Sequence, residues 1–529
     1  MKKLLPLIFC ILVFQTLNAQ VNFTDSNLPI VVINTNTQTI IDTAKITCDM
    51  GIISNGIGMR NYTTDPFNNF IGFIGIEIRG STSQQYPKKS YGFETRTPAG
   101  LALNVPLLGM PAENDWILYG AYPDKSLMRN EITYHLFSLM DAYSPRFVYC
   151  ELVIDGQYMG VYSLMERIKI DHNRVNIAKL DSNDLAGDSL TGGYIIKIDK
   201  PTGSSALSWT SPYQFNVKYL YHDPQDNELN PIQAQYIQDY VTAFEDTVYG
   251  PNFSDTAGGF RRYINTGTFI DFFLMEELGR TVDGYRSSSF MYKDKDSKGG
   301  KLSCGPMWDF NLSYGNADYC AAYDTTGWQY NFESICPGFT LEPPAWWPRL
   351  LQDTLYTREL KCRWNYLRQT ILSTTSINSW IDSVALHLNE SQQRNFTEWP
   401  ILGQYVNWNY FVGNSYQEEI DYLKWWFQAR STWMDANLPG TCPMITVGNS
   451  ELKTENSKLE IYPNPASTEI RLQFTSKEHF ETTVYDLVGK PVLSTKDKNI
   501  INISELANGI YFLKTAQGTK LFTNKFIKQ

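Results

Sequence analysis

The stretch from Asp283 to Asn316, DGYRSSSFMYKDKDSKGGKLSCGPMWDFNLSYGN, sets Asp283 just after an apolar helical pattern and Asp309 at the end of a strand–turn–strand pattern. The strands read FMYK and KLSCGPMW, and the DKDSKGG between them is rich in the Gly, Asp and Ser that make turns. Phosphoryl transfer uses two acids in such a setting: one carboxylate near the attacking hydroxyl, and another on the magnesium that neutralises the phosphates. The same segment also reads as a surface hairpin with solvated charges.

Positioning two such acids takes a scaffold, and the chain has the material for one. Its 529 residues exceed one hydrophobic core and point to two or three domains. A hydrophobic share of 43%, with 14% aromatic, excludes global disorder. The net charge of −10 argues against nucleic acid and anionic membranes as partners, since both call for clustered Lys and Arg.

Residues 1–19 read as a signal peptide: Lys2 and Lys3, an apolar run, and Ala19 at the cleavage point. Cys10 follows bulky Phe9 inside that run, which argues against a lipid-anchored cysteine. No later run is long enough to span a bilayer, so the mature protein is expected to be exported without a transmembrane segment. Cys10 leaves with the leader, and Cys48, Cys150, Cys304, Cys320, Cys336, Cys362 and Cys442 remain. None forms a CxxC pair, which argues against a zinc or redox site. Disulfides are expected within the cluster from Cys304 to Cys362, with at least one thiol left over.

Residues 20–73 are strand-rich, and strand patterns continue to about 230 in FIGIEIRG, KSYGFE, ELVIDGQYMGVYSLM and GGYIIKID. One helix interrupts them at Ser126–Leu139, with Asp124 or Ser126 to cap it. From Gln233 the period becomes helical, through FIDFFLMEELGR and the Trp-rich stretches to about Asn437. The order predicts a two-lobed α+β enzyme, strand-rich then helix-rich, with a cleft between lobes. Residues 441–459 lose periodicity and read as a linker, and 460–529 form evenly spaced short strands that predict a small β-sandwich.

That tail resembles the type A sorting domain of the type IX secretion system of Bacteroidetes bacteria. The resemblance rests on Tyr462-Pro463-Asn464-Pro465-Ala466, Val484-Tyr485-Asp486, Gly489, Leu506, Gly509-Ile510-Tyr511 and Lys525-Phe526-Ile527-Lys528. It implies that residues 460–529 engage the type IX machinery, with delivery outside the cell or to its surface. The body, residues 74–440, resembles the spore coat protein H (CotH) kinase family, an atypical protein-kinase-like group. Its carrying segments are Ile76-Glu77-Ile78-Arg79-Gly80-Ser81-Thr82-Ser83, Pro87-Lys88-Lys89-Ser90-Tyr91, Gly160-Val161-Tyr162-Ser163-Leu164-Met165-Glu166 and Pro306-Met307-Trp308-Asp309-Phe310-Asn311.

By that resemblance Asp283 orients or deprotonates the acceptor hydroxyl, and Asp309 binds Mg2+. Lys89, read on a strand, holds the phosphates of ATP, and strand alternation turns Lys88 to the opposite face. Arg79 is a second phosphate-binding candidate. Arg129 or Glu131 on the early helix meets the lysine or the phosphates, and Glu166 lies where an interlobe hinge would contact nucleotide. A secreted or surface protein with Ser or Thr hydroxyls is the implied acceptor. Two positions depart from the kinase pattern: Ser288 stands where a second metal ligand is often Asn, and Asn311 gives WDFN in place of WDFD. Both keep oxygen, and Asn311 loses a negative charge, which opens the alternative of a pseudokinase scaffold. The secreted address with 13 Trp and 33 Tyr suggests, as a third reading, a carbohydrate-active enzyme.

Overall fold

The computed structural model describes residues 21–201, 208–443, 459–473, 479–485, 491–517 and 520–529. The signal peptide 1–19, residues 444–458 of the linker, and Asp486 and Gly489 of the tail lie outside the described residues. The chain divides into one unit ending at Cys442 and a second beginning at Pro443.

In the first unit the strand patterns of the first half close on themselves. Strands Ile30–Asn34, Ile46–Ile53, Phe70–Arg79, Ser90–Arg96, Asp115–Tyr119, Gln157–Glu166 and Phe147–Ile154 follow one another around a closed barrel. Neighbours are antiparallel except at the closing seam, where Glu151–Ile154 run parallel to Ile30–Ile33. Closure leaves no open sheet edge, and the alternate side chains turned inward, including Val31, Met50, Ile74, Phe93, Trp116, Leu152 and Leu164, fill the interior. Residues 20–73 therefore supply two staves of the barrel and are continuous with the body.

A second sheet runs Ser208–Thr210, Lys218–Asp223, Tyr194–Ile198, Ser289–Lys293, Ser303–Cys304. The hairpin expected between FMYK and KLSCGPMW is thus shorter than predicted: its second strand is two residues long. Pro306 has no N–H with which to continue a ladder. The main partner of Ser289–Lys293 is instead Tyr194–Ile198, in a register that sets Ile198 opposite Ser289.

The early helix spans Arg129–Ser138, and Asp124 caps it from upstream, accepting from Arg129 N at 2.8 Å. Helix Thr266–Gly279 is buried at every residue from Phe269 to Gly279, its apolar side chains spread around the helix and its acids Asp271 and Glu277 paired to Arg363 and Arg430. It packs against Thr354–Gln369 and Tyr416–Asn437. The architecture is α+β. Disulfides join Cys320 to Cys336, within the expected cluster, and Cys362 to Cys442, reaching beyond it. Cys48, Cys150 and Cys304 are free and buried.

In the second unit, Glu460–Tyr462, Glu469–Gln473 and Ile500–Asn502 form one sheet; Pro491–Lys496, Phe480–Tyr485, Gly509–Gln517 and Lys520–Lys528 form another. Ile470, Leu472, Val484, Ile501, Leu513 and Phe526 build their common core. Among the described residues, no helix is long and apolar enough to cross a membrane.

Candidate active site

The helix Thr266–Gly279 stops at Arg280, whose left-handed backbone (φ 43°) turns the chain into the loop that carries Asp283. The Asp283 carbonyl accepts from Ser287 N at 2.9 Å, closing a tight turn. One carboxylate oxygen accepts from Arg286 Nη2 at 2.8 Å. Arg286 is itself fixed: its Nε donates to Val282 O, and its guanidinium lies 4.3 Å from the ring of Phe332 and 4.9 Å from that of Phe339. These rings flank Cys336, so the Cys320–Cys336 loop supports the clamp. Asp283 is half-buried with its acid oriented, a suitable state for receiving a proton from a bound hydroxyl.

Asp309 sits in left-handed backbone (φ 68°), between Trp308 and a fully buried Phe310. Three contacts hold it there. Asn130 Oδ1 accepts from Phe310 N at 2.6 Å. Tyr134 stacks on Trp308 at 6.0 Å. Arg79 lies over the Trp308 ring at 5.5 Å, in cation–π range. The Asp309 side chain is exposed to solvent, with protein atoms crowded about it. The crowding pushes its carboxyl up to about 6; Asp283 and Asp199 push in the same direction, and Arg79 and Lys200 oppose them.

Asp199 and Lys200 were not anticipated as site residues. They follow strand Tyr194–Ile198, and its pairing with Ser289–Lys293 sets Asp199 beside Ser288. Asp199 accepts from Lys197 Nζ and from Lys200 N, both at 2.8 Å, and Lys200 Nζ reaches Thr82 Oγ1 at 3.4 Å. The one trace in the sequence is the charged KIDK that ends an apolar strand.

The remaining candidates are placed as follows. Ser288 is half-buried in left-handed backbone (φ 49°) at the start of its strand. Asn311 is half-buried, two residues past Asp309, its carbonyl accepting from Asn316 Nδ2 at 2.7 Å. Lys89, expected on a strand, stands just ahead of one that begins at Ser90, and donates to the carbonyls of Gln84 and Tyr86 at 2.6 and 2.7 Å. Arg129 is fully buried in a 2.6 Å ion pair with Asp124. Glu166 is bound by Arg146 at 2.6 Å and by Tyr143 at 3.2 Å. The structure gathers Arg79, Asp283 and Asp309, and adds Asp199 and Lys200; Arg129 and Glu166 satisfy other partners. Among the described residues, no group of three or more His, Cys, Asp or Glu is arranged to hold a metal unaided.

Lys88, expected to face away from Lys89, is the buried lysine of the two, 2% exposed. It donates to Val161 O at 2.6 Å and Asn395 Oδ1 at 2.8 Å. Burial pushes its ammonium down to about 7, and nearby Glu151, Cys150 and Glu131 oppose this only in part. Burial also pushes Glu131 up to about 8. The unfolded chain keeps the lysine proton to about pH 10.4, so it binds more protons than the folded one above pH 7. The cost of burying the charge is full below pH 7, and the contribution of Lys88 to stability rises with pH from there. Between about pH 8.5 and 9.5 this one group adds about 1 kcal/mol, against an opposing contribution from the thiols of Cys48, Cys150 and Cys304, which burial keeps protonated. Lys88→Met should therefore lower the slope of stability against pH in urea denaturation by that amount; an unchanged slope would show that Lys88 does not carry it.

Residues 76–434 match the family described as CotH kinase protein, which covers more than half of the chain; the protein belongs to that family. Residues 460–529 match the secretion system C-terminal sorting domain, which equips this CotH-family protein for type IX secretion to the cell surface. No curated protein matches the chain.

Proposed function

We propose that this is an exported protein kinase that transfers the ATP γ-phosphoryl group to Ser or Thr hydroxyls of secreted or surface proteins. Its cleft would lie between a strand-rich lobe, built on the barrel, and a helix-rich lobe around Thr266–Gly279. The observation that carries this reading is Asp309: a solvent-exposed acid at the end of its turn, with Asp283 and Asp199 acting on it from one sign and Arg79 and Lys200 from the other.

The donor set fits Mg2+. A hard cation takes carboxylate oxygen, and magnesium needs only one or two protein acids because water and phosphate complete its shell. Asp309 would be the main ligand, with Asn311 and Ser288 as neutral oxygen donors, and Mg2+ when bound would neutralise charge on the phosphates. Arg79 and Lys200 supply fixed positive charge for phosphate oxygens. Asp283, held by Arg286, orients the acceptor hydroxyl and receives its proton. The aromatic clamp on Arg286 keeps that carboxylate from swinging into the phosphates.

Calorimetric titration with ATP tests the assignment. Binding should require Mg2+, and Asp309→Ala should weaken it by about tenfold or more. ATP affinity independent of both the ion and Asp309 would sink the proposal. The neutral Ser288 and Asn311 favour a second reading, a scaffold that binds nucleotide without transfer. Labelled ATP separates the two, since sustained incorporation into a protein acceptor excludes the scaffold.

A further inference from the structure

The barrel has a second site at one mouth, away from the acids. A cavity of about 330 Å³ opens there, walled by Ile40, Ile78, Ile154 and Met159, with Tyr91 and Asp155 among its polar groups. That volume suits a small organic molecule, and barrel mouths are recurrent places for one. Ile78 lines the cavity, whereas its neighbour Arg79 turns to the opposite face of the strand and lies against Trp308, so the two sites are distinct.

Two polar groups there are unfinished. Tyr91 is 5% exposed and stacks on Tyr162 at 6.3 Å, yet among the described residues its hydroxyl has no hydrogen-bond partner. That hydroxyl keeps its hydrogen-bonding capacity for whatever enters the cavity. Asp155 stands at the rim. Its oxygens accept from Thr35 N at 2.8 Å and Thr35 Oγ1 at 2.7 Å, one bond each. Each oxygen keeps acceptor capacity, and Asp155 makes no ion pair among the described residues. No Lys or Arg lines the cavity, so Asp155 is its only formal charge.

We propose that the barrel mouth binds a primary amine carried on a short apolar chain. The chain lies against Ile40, Ile78, Ile154 and Met159, and the ammonium donates to Asp155 in a charge-assisted bond. Tyr91 Oη is available for the remaining donor. The sign of the rim excludes an anionic head of equal size.

Calorimetry on the full chain with hexylammonium, hexanol and hexanoate reads this directly. Hexylammonium should bind about tenfold tighter than hexanol, and hexanoate most weakly. Asp155→Asn should bring hexylammonium down to the hexanol level while leaving hexanol unchanged. Met159→Trp should fill the cavity and remove binding of all three, with its melting temperature confirming the fold. Equal affinity for amine and carboxylate, or undiminished binding to Met159→Trp, overturns the proposal. If Met159→Trp fails to fold, the Asp155→Asn comparison decides alone, and an unaltered amine affinity there is the contrary result.

Discussion

Asp283→Asn is expected to slow phosphoryl transfer by about 10²–10⁴-fold, the span for removing a positioned general base. The substitution keeps the size of the side chain and an oxygen that can accept from Arg286 Nη2, so the turn closed by Ser287 N should persist. What it removes is the capacity to take a proton. Magnesium-dependent ATP binding should therefore hold within about twofold, because Asp309 and Arg79 are untouched. That split distinguishes the roles of the two acids: Asp309→Ala acts on binding, Asp283→Asn on turnover. A transfer rate equal to wild type, measured with labelled ATP, would remove Asp283 from the chemistry. Loss of ATP affinity in step with rate would mean that Asp283 serves the metal instead.

How far that site can be read from residues alone depends on the distance along the chain over which each part is built. Asp283 and Asp309 are visible because the helix before one and the strand-and-turn pattern around the other are local. The core packing of the tryptophans is local too: Trp346, Trp364 and Trp426 are fully buried, as helical spacing suggests, which weakens a sugar-stacking role for them. Asp199 is invisible, since only the pairing of Tyr194–Ile198 with Ser289–Lys293, nearly a hundred positions away in sequence, brings it to Ser288. The closing seam of the barrel is of the same kind, joining Ile30–Ile33 to Glu151–Ile154. Lys88 and Lys89 show a different limit. The two take different partners, but both precede the strand that begins at Ser90, so strand alternation does not govern them, and the helix that receives Lys88, through Asn395, lies some three hundred residues on. Arg129 and Glu166 look available in sequence because their partners, Asp124 and Arg146, are claimed only in the fold.

Glu277→Ala should cost the first unit about 3–5 kcal/mol, the penalty for removing one partner of a buried ion pair. Glu277 and Arg430 are both 0% exposed and meet at 3.1 Å. Glu277 also accepts from Gln329 N at 2.8 Å, Tyr330 N at 2.9 Å and Tyr285 Oη at 3.0 Å. Arg430 in turn donates to the carbonyls of Glu277, Thr325 and Gly327. One carboxylate thus ties the helix under the Asp283 loop to Tyr416–Asn437 and to the segment enclosed by the Cys320–Cys336 crosslink. Burial pushes Arg430 down to about 10, so it stays charged at neutral pH and would be stranded without its partner. Every Trp precedes residue 443, so tryptophan fluorescence in urea follows this unit without interference from the tail. Glu277→Leu combined with Arg430→Met should recover much of the loss, because two apolar groups leave no buried charge unpaired. Tyr285 lies two positions from Asp283, so the single variant should also slow transfer, and the double variant should not restore it, since the hydroxyl of Tyr285 is left with only the long 3.4 Å contact to Phe273 O. A single variant costing less than about 1 kcal/mol would show that water reaches Arg430, and that the link from Tyr416–Asn437 to the Asp283 loop is not made through this pair.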